Sequence, residues 1–141
     1  MFYIADKIEA FPILHILYKN IITTPEIARE FGKVLPDWIQ IKTVTNKALQ
    51  NSYLQKVDNG EASAIALAME LDSALLILDD LKGRKLALQL NLQFTGTLGV
   101  LISAKQCGAI PLLRPYFEKV EATNFRIPSS LLQRILEELG E

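Results

Sequence analysis

The sequence predicts an α/β fold: a mostly parallel sheet with helices on both faces. Three observations carry this. From residue 20 onward, strand-like and helix-like segments follow one another in the order β-α-β-α-α-β-α-β-α-α-α. The run "SALLIL" (73–78) is continuously apolar, as expected of a strand covered on both faces. One helical stretch, 25–32, has Pro at its start and Gly at its end, and another, 97–108, is closed by Gly108. Right-handed crossovers then place the strand C-termini along one edge, where α/β sheets keep their sites.

Taken in order, "KIEAFPILHILYK" (7–19) has helical spacing and is expected to be split by Pro12 into two short helices. "NIITTP" (20–25) reads as a strand stopped at Pro25, and "PEIAREFG" (25–32) as a helix. "DWIQIKTV" (37–44) alternates like a strand, with Trp38, Ile39, Ile41 and Val44 as its apolar positions, and "NKALQNSYLQKV" (46–57) is an amphipathic helix. "EASAIALAMEL" (61–71) is a helix with a nearly all-apolar body, expected to be buried on most sides. After the 73–78 strand come a helix at 81–90, a short strand at 92–96 and a helix at 97–108 closed by Gly108. Two amphipathic helices, 114–123 and 128–139, complete the chain, with Ser129 or Ser130 as N-cap of the last.

A chain of 141 residues that is half hydrophobic is expected to form one domain, 1–141, with a real core. A net charge of −1 gives no global pull on nucleic acid, so any such contact needs a local basic patch. The single cysteine, Cys107, allows no internal disulfide and points to an intracellular, cytoplasmic location. Before a Gly turn it reads as a packed apolar residue rather than a nucleophile. No run reaches membrane-spanning length, and no secretory signal pattern opens the chain. His15, the only histidine, reads as a packed side chain, and a His-based zinc cluster is ruled out.

"LLILDDLKGRK" (75–85) ends its apolar run on two carboxylates, Asp79 and Asp80. Glu61 opens the Ala-rich helix, and Glu30 lies late in the 25–32 helix. Acids from separate elements meeting at one edge would suit Mg²⁺ or Mn²⁺, which take oxygen ligands and leave positions for water and phosphate. Each acid also has a plain structural reading. Glu61 complements a helix macrodipole, Asp79 or Asp80 caps the next helix, and Glu30 is a solvated acid. "TGTLG" (95–99) ends a strand and opens a helix, with Thr97 as N-cap, although it lacks the lysine of a P-loop. Lys82, Arg84, Lys85 and Lys105 are candidates for a basic rim, or for a solvated helix face.

Together "ITTPEIAREFG", "NGEASAIALAMEL", "ALLILDDLKGRKLA", "FTGTLGVLISAKQCGAIP" and "LRPYFEKVEATNFRIP" resemble, in this order, a PIN-like family of no settled function, close to the VapC-type toxin nucleases of toxin–antitoxin pairs. The resemblance implies a PIN-like, Rossmann-like three-layer α/β/α sandwich and an acidic cluster binding Mg²⁺ or Mn²⁺ for RNA cleavage. By it, Glu30 matches the acid of the family's "P-x-x-x-x-E" helix and Glu61 the acid after Gly. Asp79 and Asp80 match the acidic pair, and Thr95 and Thr97 the "TGT" turn. Lys82 and Arg84 stand as substrate-binding candidates.

The sequence departs from the family pattern at its start. Members usually open on a central strand ending in "SDTS", whose Asp is the first metal ligand. "FYIADKIEAF" resembles the helix after that strand, which would put the Asp upstream of Met1; in a second alignment "FYIAD" is the strand and Asp6 the ligand. Without the central strand, exposed backbone edges are expected to drive rearrangement, segment swapping or edge pairing, hence a homo-oligomer, most simply a dimer. The leading functional expectation is a metal-dependent ribonuclease, with a toxin paired to an antitoxin partner as its family context. The alternative is a non-catalytic module binding RNA or protein. A phosphoacceptor domain around Asp79 or Asp80 fits less well, because no supporting Lys element follows a later strand.

Overall fold

The structure, a computed structural model, describes residues 2–141, leaving aside the side chain of Tyr3. The described elements are α1 (Phe2–Lys7), α2 (Phe11–Leu17), β1 (Ile21–Thr23), α3 (Pro25–Phe31), β2 (Ile39–Ile41), α4 (Lys47–Tyr53), α5 (Asn59–Glu70), β3 (Leu75–Ile77), α6 (Leu81–Gln89), β4 (Gln93–Thr95), α7 (Thr97–Gln106), α8 (Arg114–Glu121) and α9 (Ser129–Glu138). This is the predicted α/β order. The elements fall into two compact units, one formed by Asn20–Gly96 and the other by the residues through Lys19 with Thr97–Glu141.

In the Asn20–Gly96 unit, two right-sized crossovers, β1-α3-β2 and β3-α6-β4, each produce a parallel pair. Ile21, Ile22 and Thr23 register with Ile39, Gln40 and Ile41. Leu75, Leu76 and Ile77 register with Gln93, Phe94 and Thr95. A single continuous sheet is therefore not what forms; among the described residues there are two separate two-stranded sheets. Each strand is paired along one edge only, and the ladders run to three residues, shorter than the apolar patterns from which they were predicted. The 73–78 run is accordingly not covered on both faces: Leu76 and Leu78 are buried, while Leu75 keeps 45% of its surface exposed.

The core of this unit forms around α5. Asp58 caps that helix by accepting from the Glu61 backbone N–H while Glu61 accepts from the Asp58 N–H, a reciprocal capping box. Its body buries Ala62, Ile65, Ala66, Leu67 and Ala68 against Val44, Tyr53, Leu76, Leu78 and Leu86. Small residues let neighbouring backbones approach closely, and burying Ile65 alone is worth about 2 kcal/mol. Helix α3 starts at Pro25 and stops at Gly32, whose φ of 72° supplies the left-handed C-cap, as expected.

In the other unit the break between α1 and α2 lies at residues 8–10, where Glu9 takes a φ of 58°. Pro12 sits in the first turn of α2 instead of splitting a helix, a position that costs it no hydrogen bond. "FYIAD" is thus helical, which removes the alternative of a short strand there. Three further expectations are corrected. His15 is exposed, because α2 turns Ile13 and Leu14 inward. Cys107 is exposed too, its thiol contacting the Ala104 carbonyl at 3.6 Å. Neither Ser129 nor Ser130 caps α9, whose N-cap position is Pro128. The start of α8 is held instead by Glu141: its carboxylate accepts from the N–H groups of Leu113 (2.7 Å) and Arg114 (3.1 Å) and lies 3.4 Å from Lys105 Nζ. Glu141→Ala should lower unfolding free energy by about 2 kcal/mol, the usual size for charged hydrogen bonds, in a urea titration.

Candidate functional site

The expected single edge is divided: within the Asn20–Gly96 unit β1 ends at Thr23 in one sheet, while β3, which leads into Asp79–Asp80, and β4, which ends at Thr95, pair in the other. The first turns of α5 and α6 meet there.

Hydroxyl chemistry ties α3 to α5. Thr24 caps α3, its Oγ1 accepting from the Ile27 N–H at 3.3 Å, and lies 2.6 Å from Ser63 Oγ. Ser63 gives its single proton to the Gly60 carbonyl at 2.7 Å. The Thr24 hydroxyl must therefore donate to Ser63, which gives a directed chain from Ile27 to Gly60. Both hydroxyl residues are fully buried.

This chain fixes where Glu30 meets α5. A methyl group added at Gly60 would lie 2.6 Å from Glu30 Oε2 and 2.9 Å from Oε1, so the glycine leaves room for the carboxylate at the positive end of α5. Gly60→Ala needs no unusual backbone and displaces only the tip of a flexible side chain. Its stability should stay within about 1 kcal/mol of the parent. If the carboxylate position matters, Mn²⁺ affinity should fall, and calorimetry beside thermal melting separates the two effects.

Glu61 lies between the two helix starts, with its Cγ 3.6 Å from a methyl placed on Gly83. Its pKa is pushed up to about 7, first by burial, then by the negative charges of Asp58 and Asp80 and a side-chain hydrogen bond with Asp58, against the Asp58 N–H, which favours the anion. Asp80 is the N-cap of α6, accepting from the Gly83 N–H at 3.1 Å. Its helix-capping reading is therefore correct, and the same position places it near enough to Glu61 to affect its charge.

Asp79 lies beside Arg84 and Gly96. Arg84 reaches back from α6, donating from Nε to the Leu78 carbonyl at 2.8 Å and placing Nη2 3.9 Å from Asp79 Oδ1. Its guanidinium lies over the Phe94 ring, 5.8 Å from the centroid. Gly96 allows this: a Cβ there would collide with Arg84 Nη2 and sit 2.8 Å from Asp79 Oδ1.

Glu30, Glu61 and Asp80 thus gather around the starts of α5 and α6, and Asp79 lies at the end of β3 with Arg84. Lys82 and Lys85 are exposed on α6, and Thr95 is half-buried, its carbonyl accepting from the Leu78 N–H. Asp6 on α1 and Thr97, the buried first residue of α7, belong to the other unit. Sequence reading missed Asp58, Ser63, Gly60 and Gly96 as determinants of the site. It also missed the buried Glu26, which accepts from Gln50 Nε2 at 2.9 Å. The "D-x-x-E" spacing of 58–61 was the visible signal for the capping box; the others depend on three-dimensional approach.

Among these carboxylates, Glu61 is pushed well above its ordinary pKa, first by burial and then by the charges of Asp58 and Asp80. In the arrangement described, helix capping and Arg84 engage these groups, and among the described residues no three His, Cys, Asp or Glu side chains form a ready cluster for an ion. No described helix is long and apolar enough to cross a membrane.

A family model described as a PIN domain matches residues 2–141. No curated protein and no solved structure matches the chain.

Proposed function

The chain belongs to the PIN-domain family, and from that premise we propose that it is a Mg²⁺- or Mn²⁺-dependent ribonuclease acting through Glu30, Glu61, Asp79 and Asp80. The family fold is nuclease-like, associated with divalent metals and with nucleic acid. What supports the proposal is the placement of Glu30 beside Gly60, of Glu61 in the first turn of α5 beside Gly83, and of Asp80 at the N-cap of α6 next to Asp79.

When bound, the cation would lower the pKa of a water and offset charge developing on an RNA phosphate. The chain's own groups do the rest. Glu61 and Asp80 would supply anionic oxygens, and Glu30 would add a third from beside Gly60. Lys82 and Arg84 are placed by α6 to meet a phosphate backbone, and Thr95 lies at the neighbouring strand end. We further propose that the 141 residues work as one PIN-like domain in the cytoplasm. The unpaired strand edges would pair with another copy, giving a homodimer, and an antitoxin-like protein would be the natural partner of a toxin. A mass measurement in solution reads the first of these: a species of twice 15.8 kDa is expected.

A non-catalytic module that binds RNA or a partner protein is the second reading. It is favoured by the Asp79–Arg84 contact and by the helix-capping duty of Asp80, both of which keep carboxylates occupied. Mn²⁺ calorimetry on the parent and on Asp79→Asn/Asp80→Asn, with RNA cleavage followed in Mn²⁺ and in EDTA, decides between them. Saturable binding lost in the double variant, with cleavage abolished by EDTA, supports the ribonuclease. RNA binding without Mn²⁺ uptake or cleavage supports the module.

A further inference from the structure

We propose that the outer edge of β2 is a self-complementary docking edge, to which a second copy of the chain adds its own β2, antiparallel, across a two-fold axis at Ile41. The inference rests on the homodimer reading above and names the strand and the register through which the copies pair.

The ladder decides which backbone groups point outward. The Lys42 N–H donates to the Thr23 carbonyl at 2.8 Å, so Lys42 turns its peptide groups toward β1. Peptide groups alternate along a strand, so Gln40 also faces β1, while Ile39, Ile41 and Thr43 face away. Among the described residues no second strand lies beside β2. The Ile39 N–H is taken by the Pro36 carbonyl at 3.1 Å. Beyond Thr43 the Glu70 carboxylate closes the edge, accepting from the N–H groups of Thr45 at 2.8 Å and Asn46 at 2.7 Å. Gln40, Ile41, Lys42 and Thr43 are all exposed, whereas Ile22, Ile77 and Phe94, which face outward from the other strands, are half-buried. Ile41 shares a face with the buried Ile39 yet keeps 57% of its surface exposed. An uncovered apolar side chain thus stands on an open strand edge, the usual template for pairing with another chain.

Three two-fold registers bring this stretch against its own copy, and hydrogen bonding and charge choose among them. Centred on Gln40, the copies set Ile41 opposite Ile39, whose N–H is already spent on Pro36. Centred on Lys42, they put two lysines directly opposite at the closest cross-strand spacing, where like charges are destabilising. Centred on Ile41, each Ile41 N–H donates to the Ile41 carbonyl of the other copy, and each Thr43 N–H meets the other Ile39 carbonyl. Lys42 then stands opposite the uncharged Gln40. The Ile41 side chains lie side by side on one face and cover each other. These backbone bonds and two aliphatic side chains make a small interface, so the dimer should depend on concentration.

Sedimentation equilibrium on the full chain tests this, with far-UV circular dichroism to verify folding. Proline on an edge removes one outward N–H without touching the β1 ladder, so Ile41→Pro should keep the fold and weaken dimerisation by about tenfold or more. If Ile41→Pro does not fold, Ile41→Lys, at a position already exposed, sets like charges on the axis and should give the same loss. A Cys107→Ser background removes the exposed native thiol. In it, mild oxidation should link Ile41→Cys into covalent dimers, because directly paired residues lie about 5.5 Å apart, within disulfide reach. Gln40→Cys, offset from its own counterpart, should stay largely unlinked. A parent dimer that the folded edge variants leave intact overturns the edge while leaving the homodimer reading in place, as does linking of Gln40→Cys as fast as Ile41→Cys. A parent that stays monomeric at every concentration overturns that reading, and this inference with it.

Discussion

Glu61→Gln is expected to flatten the pH dependence of folding stability between pH 5 and 8, and to weaken Mn²⁺ binding by tenfold or more. The folded-state pKa of Glu61 is about 7, above the ordinary 4.5 of an unfolded glutamate. Folding therefore favours the protonated form. Its contribution is fully present below pH 4.5 and is lost as pH rises through 7. Taken whole, the shift would be worth about 3 kcal/mol, and discounting for the half-exposed side chain leaves roughly 1–2 kcal/mol. Glutamine keeps the capping box and never ionises, so the variant should not lose this increment. Urea unfolding of parent and variant at pH 5 and pH 8 reads the difference. The parent should weaken relative to the variant at pH 8, and parallel pH profiles would remove Glu61 as the cause. The same substitution deletes an anionic oxygen. Outer partners of metal ligands alone are commonly worth about 10–100-fold in affinity, so an acid within the donor set should cost at least the lower figure. Greater stability at pH 8 together with poorer metal uptake is not what a purely structural acid would show.

The sequence showed the order of elements because each carries its own local signal. Pro25 and Gly32 bracket α3, the Ala-rich body marks α5, and apolar runs mark β1 and β3. Strand length was not visible in the same way. A strand extends only as far as its neighbours pair with it, and here each strand has one partner, so "SALLIL" yields three ladder residues. Helix faces were also ambiguous for short segments. A seven-residue α2 makes barely two turns, and a small rotation of it decides that Leu14 is buried and His15 is not. At the site, the four acids were legible as residue types at strand and helix ends. Their individual duties were not. Asp79 and Asp80 are adjacent in the chain, but one faces Arg84 and the other caps α6. The room for Glu30 beside Gly60 and for Arg84 beside Gly96 arises from backbone approach, on which a residue pattern carries no information.

Thr24→Val should destabilise the protein by about 2–3 kcal/mol, the sum of a lost N-cap and a broken buried hydroxyl pair. Valine matches threonine in shape, so the loss is one of hydrogen bonding rather than packing. The Ile27 N–H at the start of α3 loses its acceptor, and Ser63 Oγ loses the proton it receives from Thr24. At this chain length that loss lowers the melting temperature by about 5–10 °C. Ser63→Ala should cost less, about 1 kcal/mol, because the Gly60 carbonyl lies in a helix and has further donors within reach. The double variant should fall short of the sum by about 1 kcal/mol, since the two hydroxyls share one bond. Strict additivity in thermal melting would break the directed chain from Ile27 to Gly60. The chain matters beyond stability because it joins α3, whose last turn carries Glu30, to the first turn of α5, which carries Glu61. Loosening it allows the two carboxylates to drift relative to each other. Thr24→Val should therefore weaken Mn²⁺ binding even at temperatures where the variant is fully folded, although neither hydroxyl is a proposed ligand.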